Sequence, residues 1–141
     1  MPVLHLGVID QPYQTGREST GDVAEILEAK YEVMGHFVKK HEQDIANDLE
    51  NSLEGALENV LLGGPPPSDP FAAATSAIDN RFKKFLSSKE MDSLGVPGVP
   101  TQASLAGTSK RFKQKQKKGR GPRPSFIDTG LYQASFKSWV D

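Results

Sequence analysis

The densest concentration of chemically distinctive side chains runs Lys110-Arg-Phe-Lys-Gln-Lys-Gln-Lys-Lys-Gly-Arg-Gly-Pro-Arg123. Eight positive charges stand there, Lys110, Arg111, Lys113, Lys115, Lys117, Lys118, Arg120 and Arg123, with one aromatic residue, Phe112. Such runs neutralise nucleic-acid phosphates, and glycine interleaved with arginine suits an arm that tracks a single strand. They also occur as loops lying on an acidic neighbouring subunit, or as solvated loops. One ring available for stacking does not make a surface that reads RNA bases.

The other candidates for chemistry are sparse. His36 and His41 are five residues apart and fall on different faces of a helix, unlike the i, i+4 pair of a zinc site, and His5 is isolated. Asp44 and Asp48 share a helix face with other charges, without a cleft to separate their pKa values for acid–base work. Gly119-Arg-Gly121 lacks the Lys-Ser/Thr of a phosphate-binding loop, and no Gly-x-Ser-x-Gly turn is present. There is no cysteine, hence neither a disulfide framework nor thiolate chemistry. The expectation is a protein that is not an enzyme and has no metal or cofactor.

The elements that position these residues centre on 19–62. Apolar residues recur there at Val23, Ile26, Leu27, Tyr31, Met34, Phe37, Val38, Ile45, Leu49, Leu53, Leu57 and Leu61, in steps of three and four that mark one face of a helix. Ser19 with Asp22 resembles a capping box, and Gly63-Gly64 before three prolines closes the element. Unbroken, the rod would be about 65 Å long. Gly35 allows a kink or break at Met34–His36. So long a stripe exceeds what this chain can cover, so part of it should meet another subunit, with Leu49, Leu53 and Leu57 as candidate contacts.

A second amphipathic helix is expected over 68–89, capped by Ser68 or Asp69 with Pro70 at its first position. Its stripe is Phe71, Ala74, Ile78, Phe82, Phe85 and Leu86. Val3–Ile9 reads as a short strand. Gly95-Val-Pro-Gly-Val-Pro100 reads as an extended segment, and Thr101–Ala106 as one turn capped by Thr101. Over 131–140 two periodicities compete: Leu131, Tyr132, Ser135, Phe136 and Trp139 fit a helix, while Tyr132, Ala134, Phe136, Ser138 and Val140 fit a strand. Trp139 is expected as a docked anchor, and with Phe136 as a subunit contact. The fold class is α+β and mainly helical: one domain of 141 residues with Gly/Pro loops and a basic arm as extensions (1–18, 19–62, 68–89, 93–124 and 125–141).

Net charge is −1, but it divides unevenly: residues 1–93 carry eight basic and sixteen acidic side chains, residues 94–141 nine basic and two acidic. Balances of −8 and +7 favour head-to-tail contact between copies or contact with an acidic partner; simple solvation of two unlike surfaces is the alternative. No run of about 18 apolar residues exists, so no membrane span is expected, and the start lacks the pattern of a signal peptide, so folding in a cytoplasm is expected.

The piece 124–136, with Asp128-Thr129-Gly130, then Tyr132 and Ser135-Phe136, resembles the short Thr-Gly-x-Leu-x-x-Ser-Ile signature of neck (tail-completion) and minor virion proteins of tailed bacteriophages. The layout of a long acidic helix, a basic loop and then that signature is similar to small structural proteins of contractile-tailed phages. The resemblance implies a non-enzymatic homo-oligomer: a ring in the head–tail connector, touching other neck or tail proteins, with DNA in its channel. It would be assembled in the host cytoplasm into the virion. The alternatives are a nucleic-acid-binding accessory protein using 110–123, and a structural component elsewhere on the tail or baseplate.

Overall fold

The computed structural model describes residues 1–13, 18–106, 122–127 and 130–141. The fold is α+β and mainly helical. Its elements are β1 (Leu4–Val8), α1 (Thr20–Tyr31), α2 (Val33–Leu61), α3 (Ala72–Ser87), a 3-10 turn (Met91–Ser93), α4 (Gln102–Ala106), α5 (Leu131–Ser135) and β2 (Phe136–Val140). β1 and β2 form an antiparallel pair in the register Leu4↔Val140, Leu6↔Ser138 and Val8↔Phe136, bringing the two ends of the chain together.

The expected rod is two helices. α1 starts at the anticipated capping box, in which Asp22 N–H donates to Ser19 Oγ and Ser19 N–H to Asp22 Oδ2. Asp10 joins this turn: the Ser19 hydroxyl and the Gly21 N–H, which donates at 2.9 Å, hold its carboxyl below the usual carboxylate range. The break falls at Glu32, whose φ of 50° and ψ of 50° are left-handed, and not at Met34–His36. Its cause lies one turn earlier. The Glu28 carboxylate accepts from the N–H groups of Met34 (2.8 Å) and Gly35 (3.0 Å), satisfying the free donors at the start of α2. Gly35 is not itself the break: it lies inside α2, and a Cβ there would meet Glu28 Oε1 at 3.4 Å, an ordinary contact. α2 is also non-helical at His41 (φ −112°, ψ 18°), where the ring packs edge-on to Phe85.

α2 ends in a Schellman motif. Gly63 takes φ 89° and donates to Val60 O, while Gly64 donates to Asn59 O. The chain then runs back along α2, tied by Asn59 Nδ2 to Pro65 O and by Ser52 Oγ to Pro70 O. α3 begins at Ala72, after the expected start, because Asp69 Oδ1 accepts from Phe71 N–H in an Asx turn that occupies Pro70 and Phe71. Gly95–Pro100 is also a correction. It is not one extended segment: a turn at Pro97-Gly98, closed by Val99 N–H donating to Val96 O at 3.0 Å, interrupts it, with Gly95 and Gly98 at φ 72° and 79°, and Val99 is buried. Thr101 caps α4 as anticipated, its Oγ1 accepting from Ser104 N–H.

The core joins α2, α3 and β2. Phe37, Ile78, Phe82, Phe85 and Leu86 are buried, with Phe136 closing the cluster. Phe82 stacks on Phe136 with centroids 3.9 Å apart and planes at 18°, and meets Phe37 edge-on at 5.2 Å and 84°. Asp79 of α3 accepts from Ser138 N–H at 2.7 Å and lies 2.7 Å from the Ser138 hydroxyl, so α3 covers the outer edge of β2. Phe82→Ala should therefore cost about 3–5 kcal/mol, by lost transfer energy and a cavity between two rings. Urea unfolding followed by circular dichroism measures it; a loss under about 1 kcal/mol would mean that the stack is not central to the core.

Candidate interaction surface

α3 covers only part of α2. At Ser52 the chain of 63–70 meets the α2 flank, and beyond it the apolar stripe has no cover within the described residues. Leu53, Leu57 and Leu61 are 50%, 58% and 76% exposed, and Val60 is exposed beside them. Spaced at four, the three leucines form one row on the projecting half of α2. Glu50, Glu54 and Glu58, all exposed, form a second row next to it. From Glu42 to Leu61 the helix carries six acidic residues and no Lys or Arg.

These acids divide into two groups. Asp48 accepts from Arg81 Nη2 of α3 at 2.9 Å, and Asp44 lies 3.7 Å from Arg81 Nη1. His41 stands 3.3 Å from both Asp44 and Glu90, with Lys40 3.7 Å from Glu90. This network ties α2 to α3. Among the described residues, Glu50, Glu54 and Glu58 have no ion pair. Each like-charged i, i+4 pair costs about 0.2–0.5 kcal/mol in an isolated helix, so the row opposes the helix that carries it.

A second apolar patch lies on the outer face of the sheet. Trp139 is 45% exposed, stacks on His5 (5.3 Å, 11°) and lies across Gly7, where an added Cβ would come within 3.2 Å of its ring. His5 Nε2 is 2.8 Å from Asp141 Oδ1. Val3 and Ile9 flank this face and are half-exposed. Trp139 is thus docked but not covered.

The residues singled out by sequence separate accordingly. Leu53 and Leu57 stand on the projecting face, whereas Leu49 packs against the core. Phe136 corrects an expectation: its ring lies in the chain's own core and is not free for another subunit. Of the signature, Asp128 and Thr129 lie outside the described residues. Gly130 takes φ 80° at the entry to α5, and Tyr132 and Ser135 are buried, both without a hydrogen-bond partner for the side-chain oxygen. Burial pushes the Tyr132 phenol well above its ordinary pKa. Lys110, Arg111, Lys113, Lys115, Lys117, Lys118 and Arg120 lie outside the described residues. Arg123 is a correction, because its guanidinium donates to Ile127 O at 2.7 Å and its N–H to Ser104 O at 2.9 Å. It ties the residues on either side of 107–121 to one another.

A cavity of about 230 Å³ between α1 and α5 is walled largely by apolar and aromatic groups, including Leu27, Tyr31, Phe126 and Tyr132, with Arg123 at its wall; among the described residues no carboxylate or imidazole lines it. Among the described residues no three His, Cys, Asp or Glu side chains group as a metal site, and no helix is long and apolar enough to cross a membrane. Glu50 and Glu54 were already legible in the sequence as part of the acidic face of the long helix; Glu58 is the one passed over, and its i+4 spacing from Glu54 was the available signal.

Comparison with protein-family models, curated proteins and solved structures finds no match to this chain.

Burial separates the leucines. Leu49→Asp should lower stability by roughly 2–4 kcal/mol by placing a charge against the core, whereas Leu57→Asp should change it by under about 0.5 kcal/mol. Thermal melts of the two variants at a concentration where the chain is monomeric read the difference. Equal losses would mean that Leu57 is packed within its own chain.

Proposed function

We propose that this chain is a non-enzymatic structural protein that works as an oligomer, with the projecting half of α2 as its principal contact surface. One observation carries the reading: the row Leu53, Leu57 and Leu61 continues the core stripe past the point where the chain covers it. Fully burying an exposed leucine contributes about 1.5–3 kcal/mol; these three are already part-covered, so completing their burial supplies roughly 3–5 kcal/mol per copy. Association costs about 4–15 kcal/mol, so the leucines alone do not suffice and further contacts are required. The exposed Trp139 face is one source.

The resemblance of 124–136 to neck and tail-completion proteins supplies the setting. In this reading the chain is a ring component of the head–tail connector of a contractile-tailed phage, built into the virion beside other neck or tail proteins around a channel that carries DNA. A second reading, a nucleic-acid-binding accessory protein, is favoured by the eight positive charges of 110–123. It predicts DNA affinity that falls steeply with salt, while the ring reading needs none in the free subunit.

Light scattering of the purified chain over a range of concentrations, alone and with candidate neck or tail proteins, tests the proposal. The expected result is a defined multiple of the chain mass that Leu53→Asp and Leu57→Asp reduce toward one copy with helix content unchanged. A single-copy mass throughout, alone and with every neighbour, sinks it.

A further inference from the structure

We infer that the acidic row Glu50, Glu54 and Glu58, with the leucine row beside it, receives the basic run 110–118 of a second copy. The inference rests on the oligomeric reading above and names the segment that faces the surface. Three observations carry it. First, the row is chemically incomplete. Asp44 and Asp48 have Arg81, but the three glutamates repeat at four with no cation, on a stretch of helix that has no Lys or Arg of its own. Second, the complement is present in the same sequence. Lys110, Arg111, Lys113, Lys115, Lys117 and Lys118 come with no acid among them, and Phe112 adds an apolar ring suited to the adjoining leucines. The wider balances of −8 and +7 repeat this match.

Third, length argues for another copy. The described residues on either side of 107–121 are joined, Arg123 N–H donating to Ser104 O at 2.9 Å. That junction lies near the start of α2, since Phe126 packs on Tyr31 with centroids 5.1 Å apart. Glu58 is 25 residues beyond Val33, about 37 Å along the axis. Fifteen residues that go out and come back reach about 25 Å at full extension. With side chains added, a lysine at the tip of the same copy's run would meet Glu58 only at full extension of both, whereas a neighbour's run is under no such limit. Exposed ion pairs are individually weak, so several must act together and their joint effect must fade with salt.

Charge reversal in two pieces tests this. One variant carries Glu50→Lys, Glu54→Lys and Glu58→Lys; the other carries Lys113→Glu, Lys115→Glu, Lys117→Glu and Lys118→Glu. All seven positions are at exposed sites or outside the described residues, and circular dichroism checks that each variant folds. By light scattering at about 50 mM salt, each variant alone should associate at least about tenfold more weakly than the unaltered chain, with the gap narrowing at about 500 mM. An equimolar mixture of the two should recover assembly, because each basic element again meets an acidic one across copies. Three results overturn the inference: no loss in either variant; rescue only when both sets are combined in one chain, which means contact within a copy; and normal assembly of the lysine-reversed variant with lost binding to a duplex DNA probe, which assigns the run to nucleic acid. If Leu57→Asp still reduces the mass while both charge variants assemble normally, the leucine contact stands and the basic-run contact falls. If the unaltered chain never assembles, both fall.

Discussion

The stack of Phe82 on Phe136 is the contact on which the other placements depend. Phe136 is the first residue of β2, so docking its ring 3.9 Å from Phe82 fixes where β2 starts beneath α3. The pairing Val8↔Phe136 then fixes β1, and the chain's two ends with it. Phe37 meets both rings edge-on, which locks α2 to the same point. Asp79 adds a polar constraint one turn away. It takes the outward N–H of Ser138, a donor that an open sheet edge would leave to water or to another chain. Rings set the depth of β2, and the carboxylate sets its register.

The exposed leucine row follows from the lengths that this core allows. α2 has 29 residues and α3 has 16, and both are anchored at the Phe37–Phe82–Phe85 cluster. Past Ser52, α2 runs on for the residues 53–61, roughly 14 Å at 1.5 Å per residue. The proline-rich return of 63–70 covers one flank only, held at Asn59 and Ser52. The leucine row is therefore the unmatched part of a stripe whose other part is ordinary core, which is why its composition does not change where its environment does.

That continuity explains what the sequence could and could not reveal. Periodicity was sufficient for the helices and for Phe37, Ile45, Ile78, Phe82, Phe85 and Leu86, because buried faces repeat at three and four. The capping box and the glycine stop were equally readable, being local chemistry. The break at Glu32 was not, since a glutamate in the left-handed region carries no propensity signal; only the distant reach of Glu28 to Met34 and Gly35 accounts for it. The end of the chain fits both periods because α5 passes directly into β2 between Ser135 and Phe136, so each pattern is right for its own half. Leu49 and Leu57 look alike in sequence, and only the place where α3 stops distinguishes core from contact.

The pairing of leucine and glutamate rows also constrains symmetry. Two copies meeting antiparallel through the same patch, about a two-fold axis perpendicular to α2, would bring Glu50, Glu54 and Glu58 of both to one side, six like charges at the rim of a desolvated apolar strip. Like charges across an interface cost several kcal/mol, which is comparable to what the leucines supply. The patch thus selects against that pairing and in favour of a different, basic surface. A contact between unlike surfaces of identical chains is head-to-tail, and such contacts either close into rings or run on as filaments. A chain whose acidic and basic charges are segregated along its length could supply both halves of such a contact, and in the proposed assembly the acidic row that weakens α2 in isolation would direct its partner.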